Sequence, residues 1–200
     1  MQSGLFPDDP AETRIEILKA TYAALLEHGY ADLTIDRIGQ HFPKSTSLLY
    51  HHYEGKDELL VDFLSYLLED AEAGLGTESG ASADERLLTL FDRIFAEETP
   101  ESMAFQRAMA EMRAQAATDQ EYRRHFTEHD RFFRDRLADV IRDGIEDGTF
   151  REVDPEQVAT MLHTMLSGAM AEQVTSDLDL SSMRAEAEAY VEARLLAEGR

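Results

Sequence analysis

The segment Leu33–Leu60, LTIDRIGQHFPKSTSLLYHHYEGKDELL, reads as two short helices joined by a tight turn, with a third helix close behind. Thr34 can offer its hydroxyl to the orphan backbone N–H groups of a helix start, and Ile35, Ile38 and Phe42 then share one apolar face. Pro43 and Lys44 interrupt that helix, because a proline disfavours helical geometry in the residue before it. Ser45 is the next cap candidate, and a second helix follows through Leu48 and Leu49 to about Tyr53. Its inner face is Leu49 with Leu48 or Tyr53, and its outer face offers Thr46, Ser47, Tyr50, His51 and His52. Gly55 opens the third helix, with Lys56 in its first turn. This is the layout of a helix-turn-helix, with the motif over about residues 34–53.

Short hydroxyl and imidazole groups on an outer helical face suit base edges and phosphates in a major groove. A lysine beside a helix N-terminus suits a phosphate. Charge supports this use of the segment. The chain carries a formal net charge of -22, yet residues 33–56 hold Arg37, Lys44 and Lys56 against only Asp36 and Glu54, a local balance of +1. Residues 1–56 sum to -3 and residues 57–200 to -19. Only three lysines occur in the chain, two of them here. Acidic excess with scarce lysine resembles adaptation to high internal salt, where the Debye length falls to about 3 Å and self-repulsion is screened.

At Thr34, Ile38, Ser45, Leu49, Tyr50, His52, Lys56, Leu59 and Leu60 the segment resembles, without a gap, the TetR/AcrR family of transcriptional regulators. The resemblance extends upstream over ILKATYAALLEHGY, which looks like that family's first helix. It implies DNA contacts at Thr34, Thr46, Ser47, Tyr50, His51, His52 and Lys56, and Lys44 and Ser45 complete the candidate set. It also implies a homodimeric repressor that binds a palindromic operator and leaves it when a small molecule binds, and the numerous apolar groups over residues 84–175 predict that this effector is lipophilic or aromatic. Three features depart from the family pattern. Pro43-Lys44 stands where Gly-Val is usual, and proline cannot take positive φ. Asp36 suits the helix dipole but repels phosphate, and it is left out of the contact set. Gly39 replaces a usual Ala, which weakens its helix slightly.

The remaining periodicity is helical throughout and predicts an all-α fold of about nine helices. Thr13 with Glu16, Ser82 with Glu85 and Thr118 with Glu121 have capping-box spacing, Thr99-Pro100 and Asp154-Pro155 mark two further starts, and Gly29 and Gly148 mark ends. A Gly/Ser-rich stretch over residues 74–83 is the expected boundary region. The expected organisation is a DNA-binding domain over 1–56 and an effector-binding and dimerisation domain over 57–200, entered by a linking helix over 57–73. Between Glu156 and Glu172 no side chain is formally charged, so that helix should be buried on most sides, by its own domain or by a second subunit. In the resembling family the last two helices pair with their copies in a four-helix bundle. The implied subunit interface is Val158, Met161, Leu162, Met165, Leu166, Ala169, Met183, Tyr190, Val191 and Leu195. Adaptable apolar groups over 91–170 could line an effector pocket: Phe91, Phe95, Phe105, Met109, Met112, Phe126, Phe133, Met161, His163 and Met165.

His125, Glu128 and His129 fit the H-x-x-E-H pattern of some metalloproteases, but Arg123, Arg124 and Arg131 flank them and no third ligand stands out. Cysteine is absent, so thiolate chemistry and Cys-based zinc sites are excluded. The expectation is therefore a chain without enzymatic activity, metal or cofactor. No stretch is long and apolar enough for a membrane span and no export signal is visible, so a cytoplasmic location is expected. The alternative, a helical small-molecule-binding or enzymatic protein without a DNA function, fits poorly with the local +1 balance inside so acidic a chain.

Overall fold

The computed structural model describes residues 13–74, 81–94, 99–177 and 181–197. Among these residues there are nine α-helices: α1 Thr13–His28, α2 Ile35–His41, α3 Thr46–His52, α4 Lys56–Gly74, α5 Ala83–Ile94, α6 Pro100–Gln115, α7 Gln120–Glu146, α8 Pro155–Thr175 and α9 Ser181–Arg194. The only β-type pairing among them is an isolated antiparallel bridge between Phe150 and Leu196. No described helix is long and apolar enough to cross a membrane.

The helix ends follow from local chemistry. Thr34 caps α2 by accepting from Arg37 N at 3.2 Å. Thr99 and Ser102 cap each other reciprocally at the start of α6, and Asp154 accepts from Gln157 N at the start of α8. Ser82 N donates to Glu85 at 2.9 Å, as its spacing predicts. At α7 the cap falls one residue beyond Thr118: Asp119 Oδ1 accepts from Glu121 N at 2.8 Å. Gly29 and Gly148 follow α1 and α7 with φ of +72° and +80°, the left-handed region that costs glycine little.

By packing, the chain divides into two compact units, one of residues 1–73 with 98–126 and the other of residues 74–97 with 127–200. In the first, Ile17, Leu18 and Leu25 of α1 meet Ile38 of α2, Leu49 of α3 and Met112 of α6 in one buried cluster. Helix α4, assigned from sequence to the second domain, contributes Leu59, Leu60, Phe63, Leu64, Leu67 and Leu68 to this first core. Its apolar stripe is continuous with the surface that α1 to α3 must cover. In the second unit, Leu87 and Phe91 of α5, Leu137 and Ile141 of α7, Leu162 of α8 and Val191 of α9 form a separate cluster with Phe150 and Leu195.

That second core claims much of the expected subunit interface. Val158, Leu162, Leu166, Ala169, Val191 and Leu195 are at most 5% exposed within this one chain, so they have no surface left to offer a partner. Met165, Met183 and Tyr190 are half-buried, and Met161 is exposed. The pocket candidates divide between the units. Phe105, Met109, Met112 and Phe126 belong to the first core, while Phe91 and Met165 belong to the second. Phe133 and His163 are half-buried in the second unit, and Phe95 lies outside the described residues.

Candidate nucleic-acid interface

Helix α3 is only seven residues long, so its placement depends on its neighbours rather than on its own helical propensity. Leu49 is fully buried and anchors one face. The other end is tied by Tyr53, the C-cap residue, whose hydroxyl donates to Asp62 Oδ2 on α4 at 2.6 Å. Arg14 on α1 grips the same carboxylate bidentately, Nε to Oδ2 at 3.0 Å and Nη2 to Oδ1 at 2.7 Å. Burial pushes the Asp62 carboxyl upward, but the hydrogen bonds from Arg14 and Tyr53 and the charge of Arg14 outweigh it and hold it below its ordinary value. Burial, then the bond to Asp62, push the Tyr53 phenol well above its usual range. Nothing in the sequence pairs residues 48 positions apart, and this tie was not legible there.

Between α2 and α3 the approach is close because of a glycine. A Cβ on Gly39 would lie 2.5 Å from Thr46 Oγ1, 2.9 Å from Thr46 Cγ2 and 3.2 Å from Thr46 Cβ. Gly39 is thus a seat for the first residue of α3, and its weak helix propensity accompanies a packing role. Rotating Thr46 does not relieve the clash, since Cβ and a branch atom are involved whichever rotamer is chosen. Gly39→Ala should therefore destabilise the protein by about 1–2 kcal/mol despite the better propensity of alanine. Adding Thr46→Ala should recover most of the loss, which thermal or denaturant unfolding of the four proteins in the cycle would show. Additive effects would refute the contact.

The structure places the expected DNA-facing residues unequally. Ser47, Tyr50, His51 and His52 are exposed, Tyr50 at 57%, and no acidic residue lies on α3. Thr46 is half-buried on its glycine seat. Thr34 is exposed, with its hydroxyl engaged as the α2 cap. Ser45 occupies the N-cap position of α3 without a capping bond, and its hydroxyl instead pairs with that of Ser47 at 2.9 Å. The two lysines of this region have partners within the chain, Lys44 on the surface and Lys56 half-buried. Lys44 forms an ion pair with Glu16 and reaches Thr13 Oγ1 at 3.3 Å. Lys56 donates to Tyr30 O at 3.4 Å and lies over the Tyr30 ring at 4.9 Å. Arg37 donates to Asp32 O. Each cation thus sits at a defined place beside the helix-turn-helix.

The H-x-x-E-H residues form no ligand cluster. His125 Nε2 is 2.9 Å from Arg124 Nη2, and His129 stacks edge-on against Phe133 with centroids 4.7 Å apart.

Residues 17–63 match the family described as bacterial regulatory proteins of the tetR family, and residues 83–196 match the BetI-type transcriptional repressor C-terminal family. The chain is a TetR-family transcriptional regulator. The two matches cover both the helix-turn-helix and most of the remaining chain, and with them the regulator's function as a DNA-binding protein is established. Among solved structures it is similar to a TetR transcription regulator from Haloarcula marismortui, with TM-score 0.79 and 37% identity over 92% of this chain and 98% of that one. It is 27% identical over 169 residues to the HTH-type transcriptional repressor AcnR of Corynebacterium efficiens, covering 84% of this chain and 85% of that one. The fold is shared by a regulator from Saccharomonospora viridis solved in complex with choline, at TM-score 0.75 and 22% identity over 94% of this chain and 100% of that one.

Proposed function

We propose that the regulator is a homodimeric repressor that reads a palindromic operator through α3 and is released by a small aromatic or lipophilic effector. The observation that carries the DNA reading is the outer face of α3, where Ser47, Tyr50, His51 and His52 stand exposed without an acidic neighbour on the helix, in a chain of charge -22. Ser47 and His51 are assigned to base edges, and Tyr50 and Lys56 to phosphates. With operator selected from random duplexes, Ser47→Ala should change preference at one or two positions by about 1–3 kcal/mol per base pair. Lys56→Ala should weaken all sequences alike and lower the salt slope by about 0.9. Unchanged preference and an unchanged slope would sink these assignments. Measured up to about 3 M KCl, wild-type affinity should fall less steeply than counterion release alone implies, because salt also screens repulsion between DNA and the acidic remainder.

The dimer reading is supported by the outward side of α8. Thr160, Met161, Thr164, Gly168 and Ala171 are exposed there and uncharged, with Met165 half-buried among them. Their spacing of three or four residues makes a single stripe, and a side chain at Gly168 would meet open space within this chain. Met161 and Met165 also line a shallow groove of about 860 Å³ with Asp154, Glu156, Gln157, Thr160 and Thr164. Met161→Glu should give a folded monomer with operator affinity reduced at least about a hundredfold, since a charge would be desolvated in the interface. Sedimentation and circular dichroism test this, and an unaltered oligomeric state would refute it. Leu166→Glu is unsuitable as a probe, because Leu166 is core and the variant would unfold.

An effector site in the second unit is supported by a half-buried aromatic and imidazole group on α7 and α8. The Phe133 ring lies 4.7 Å from that of His129 and 6.4 Å from that of His163, and His163 Nε2 is 3.5 Å from Asp130 Oδ1.

A further inference from the structure

We propose that Glu27, His28 and His41 form a binding site for one divalent transition-metal ion of the zinc, cobalt or nickel type. The three residues come from the last turn of α1 and the last residue of α2. His41 Nε2 lies 3.2 Å from one oxygen of the Glu27 carboxylate, and His28 Nε2 lies 3.8 Å from the other. One ligand atom from each residue lies within 4.8 Å of the other two, and the two imidazole centroids are 6.3 Å apart. Around a tetrahedral ion with bonds of about 2.0–2.1 Å, donor atoms stand roughly 3.3 Å apart, so modest side-chain rotation closes the cluster.

The donor set is two imidazole nitrogens and one carboxylate oxygen. It matches the protein ligands of open zinc sites, with a fourth position left for water. It excludes the soft ions that prefer thiolates and suits imidazole-binding metals over magnesium or calcium. A second observation points to a ligand. His28 Nε2 is shielded from solvent and has no hydrogen-bond partner. A buried ring nitrogen left this way is costly, and a metal bond would satisfy it. Glu27 is largely exposed, which gives an ion a path in from solvent. No other three His, Asp or Glu side chains gather so closely among the described residues. An ion here would join α1 to α2 immediately before the turn that leads into α3.

The test uses the full chain without DNA, so its failure leaves the operator reading untouched. Zinc and cobalt(II) are titrated at neutral pH with excess magnesium and about 1 M KCl, which screens the acidic surface. One equivalent of cobalt should bind with the visible absorption of a four-coordinate nitrogen and oxygen site, and zinc should displace it. Glu27→Gln and His41→Gln should each weaken binding by roughly tenfold or more, while His51→Gln should not. Saturating zinc should raise the melting temperature of the wild type and not that of Glu27→Gln, an exposed position where folding is safe. Binding that both variants leave intact, or no saturable binding at all, would overturn the proposal. So would a melting temperature indifferent to metal.

Discussion

Gly144→Ala should lower the stability of the regulator by about 3 kcal/mol, near the upper end of ordinary overpacking costs. The added Cβ would stand 2.2 Å from Phe150 Cδ2, 2.7 Å from Cε2 and 2.8 Å from Ala83 Cβ. The Phe150 ring is 3% exposed and cannot swing into solvent without leaving the second core. Nor can its backbone retreat easily. Phe150 N donates to Gly144 O at 2.7 Å, Arg151 N to Leu195 O at 2.8 Å, and Ala197 N to Thr149 O at 3.1 Å. Two fixed surfaces therefore meet at a position with no room for a methyl group. Alanine returns about 1 kcal/mol of helix propensity, which does not offset a displaced buried ring worth about 3–5 kcal/mol. At about 2–4 °C per kcal/mol for a chain of this size, the melting temperature should drop by roughly 6–12 °C. Phe150→Leu, destabilising alone, should be partly compensatory in the Gly144→Ala background. A Gly144→Ala protein as stable as wild type would show that the ring has another place to go.

Asp62→Ala should cost about 2 kcal/mol and weaken DNA binding beyond what the stability loss explains. Most of the cost falls on the Tyr53 hydroxyl, which is buried and would lose its acceptor. Arg14 is 40% exposed, and water would take over much of its lost pairing. Tyr53 ends α3, so the loosened contact acts directly on the helix proposed to read DNA. The pH dependence has a definite sign. Asp62 titrates below its ordinary 3.8 in the folded protein, so its contribution is fully present above that value. It is lost as pH falls through the lowered folded value. Urea unfolding should therefore show the full gap between wild type and Asp62→Ala near neutrality, with the gap closing in strong acid. A gap that widened on acidification would contradict the assignment.

The helices and the identity of the reader were legible from sequence because both rest on local patterns. Thr34, Pro43, Leu49 and Gly55 act on residues within a turn or two of themselves, and their spacing survives into the structure. What could not be read depends on side chains brought together from distant positions. Arg14 meets Asp62, Lys44 meets Glu16 and Lys56 meets Tyr30, and no periodicity encodes these pairs. The uncharged run of α8 was readable as apolar, but not which side faced its own core. Val158, Leu162 and Leu166 turn inward, while Met161 and Thr164 remain outside. Gly39 was the most misleading single residue. Its low propensity was visible in the sequence, and its purpose, a seat for Thr46, lay on another helix.

That seat has a consequence for how the regulator can diverge. Position 46 opens α3, the helix proposed to read the operator. Its side chain occupies the space that a side chain at position 39 would need, so position 39 is not free to drift alone. A lineage that gives position 39 a side chain must first trim position 46, or pass through a poorly folded intermediate. Duplicated copies of this gene should therefore keep glycine at position 39 for as long as position 46 stays β-branched.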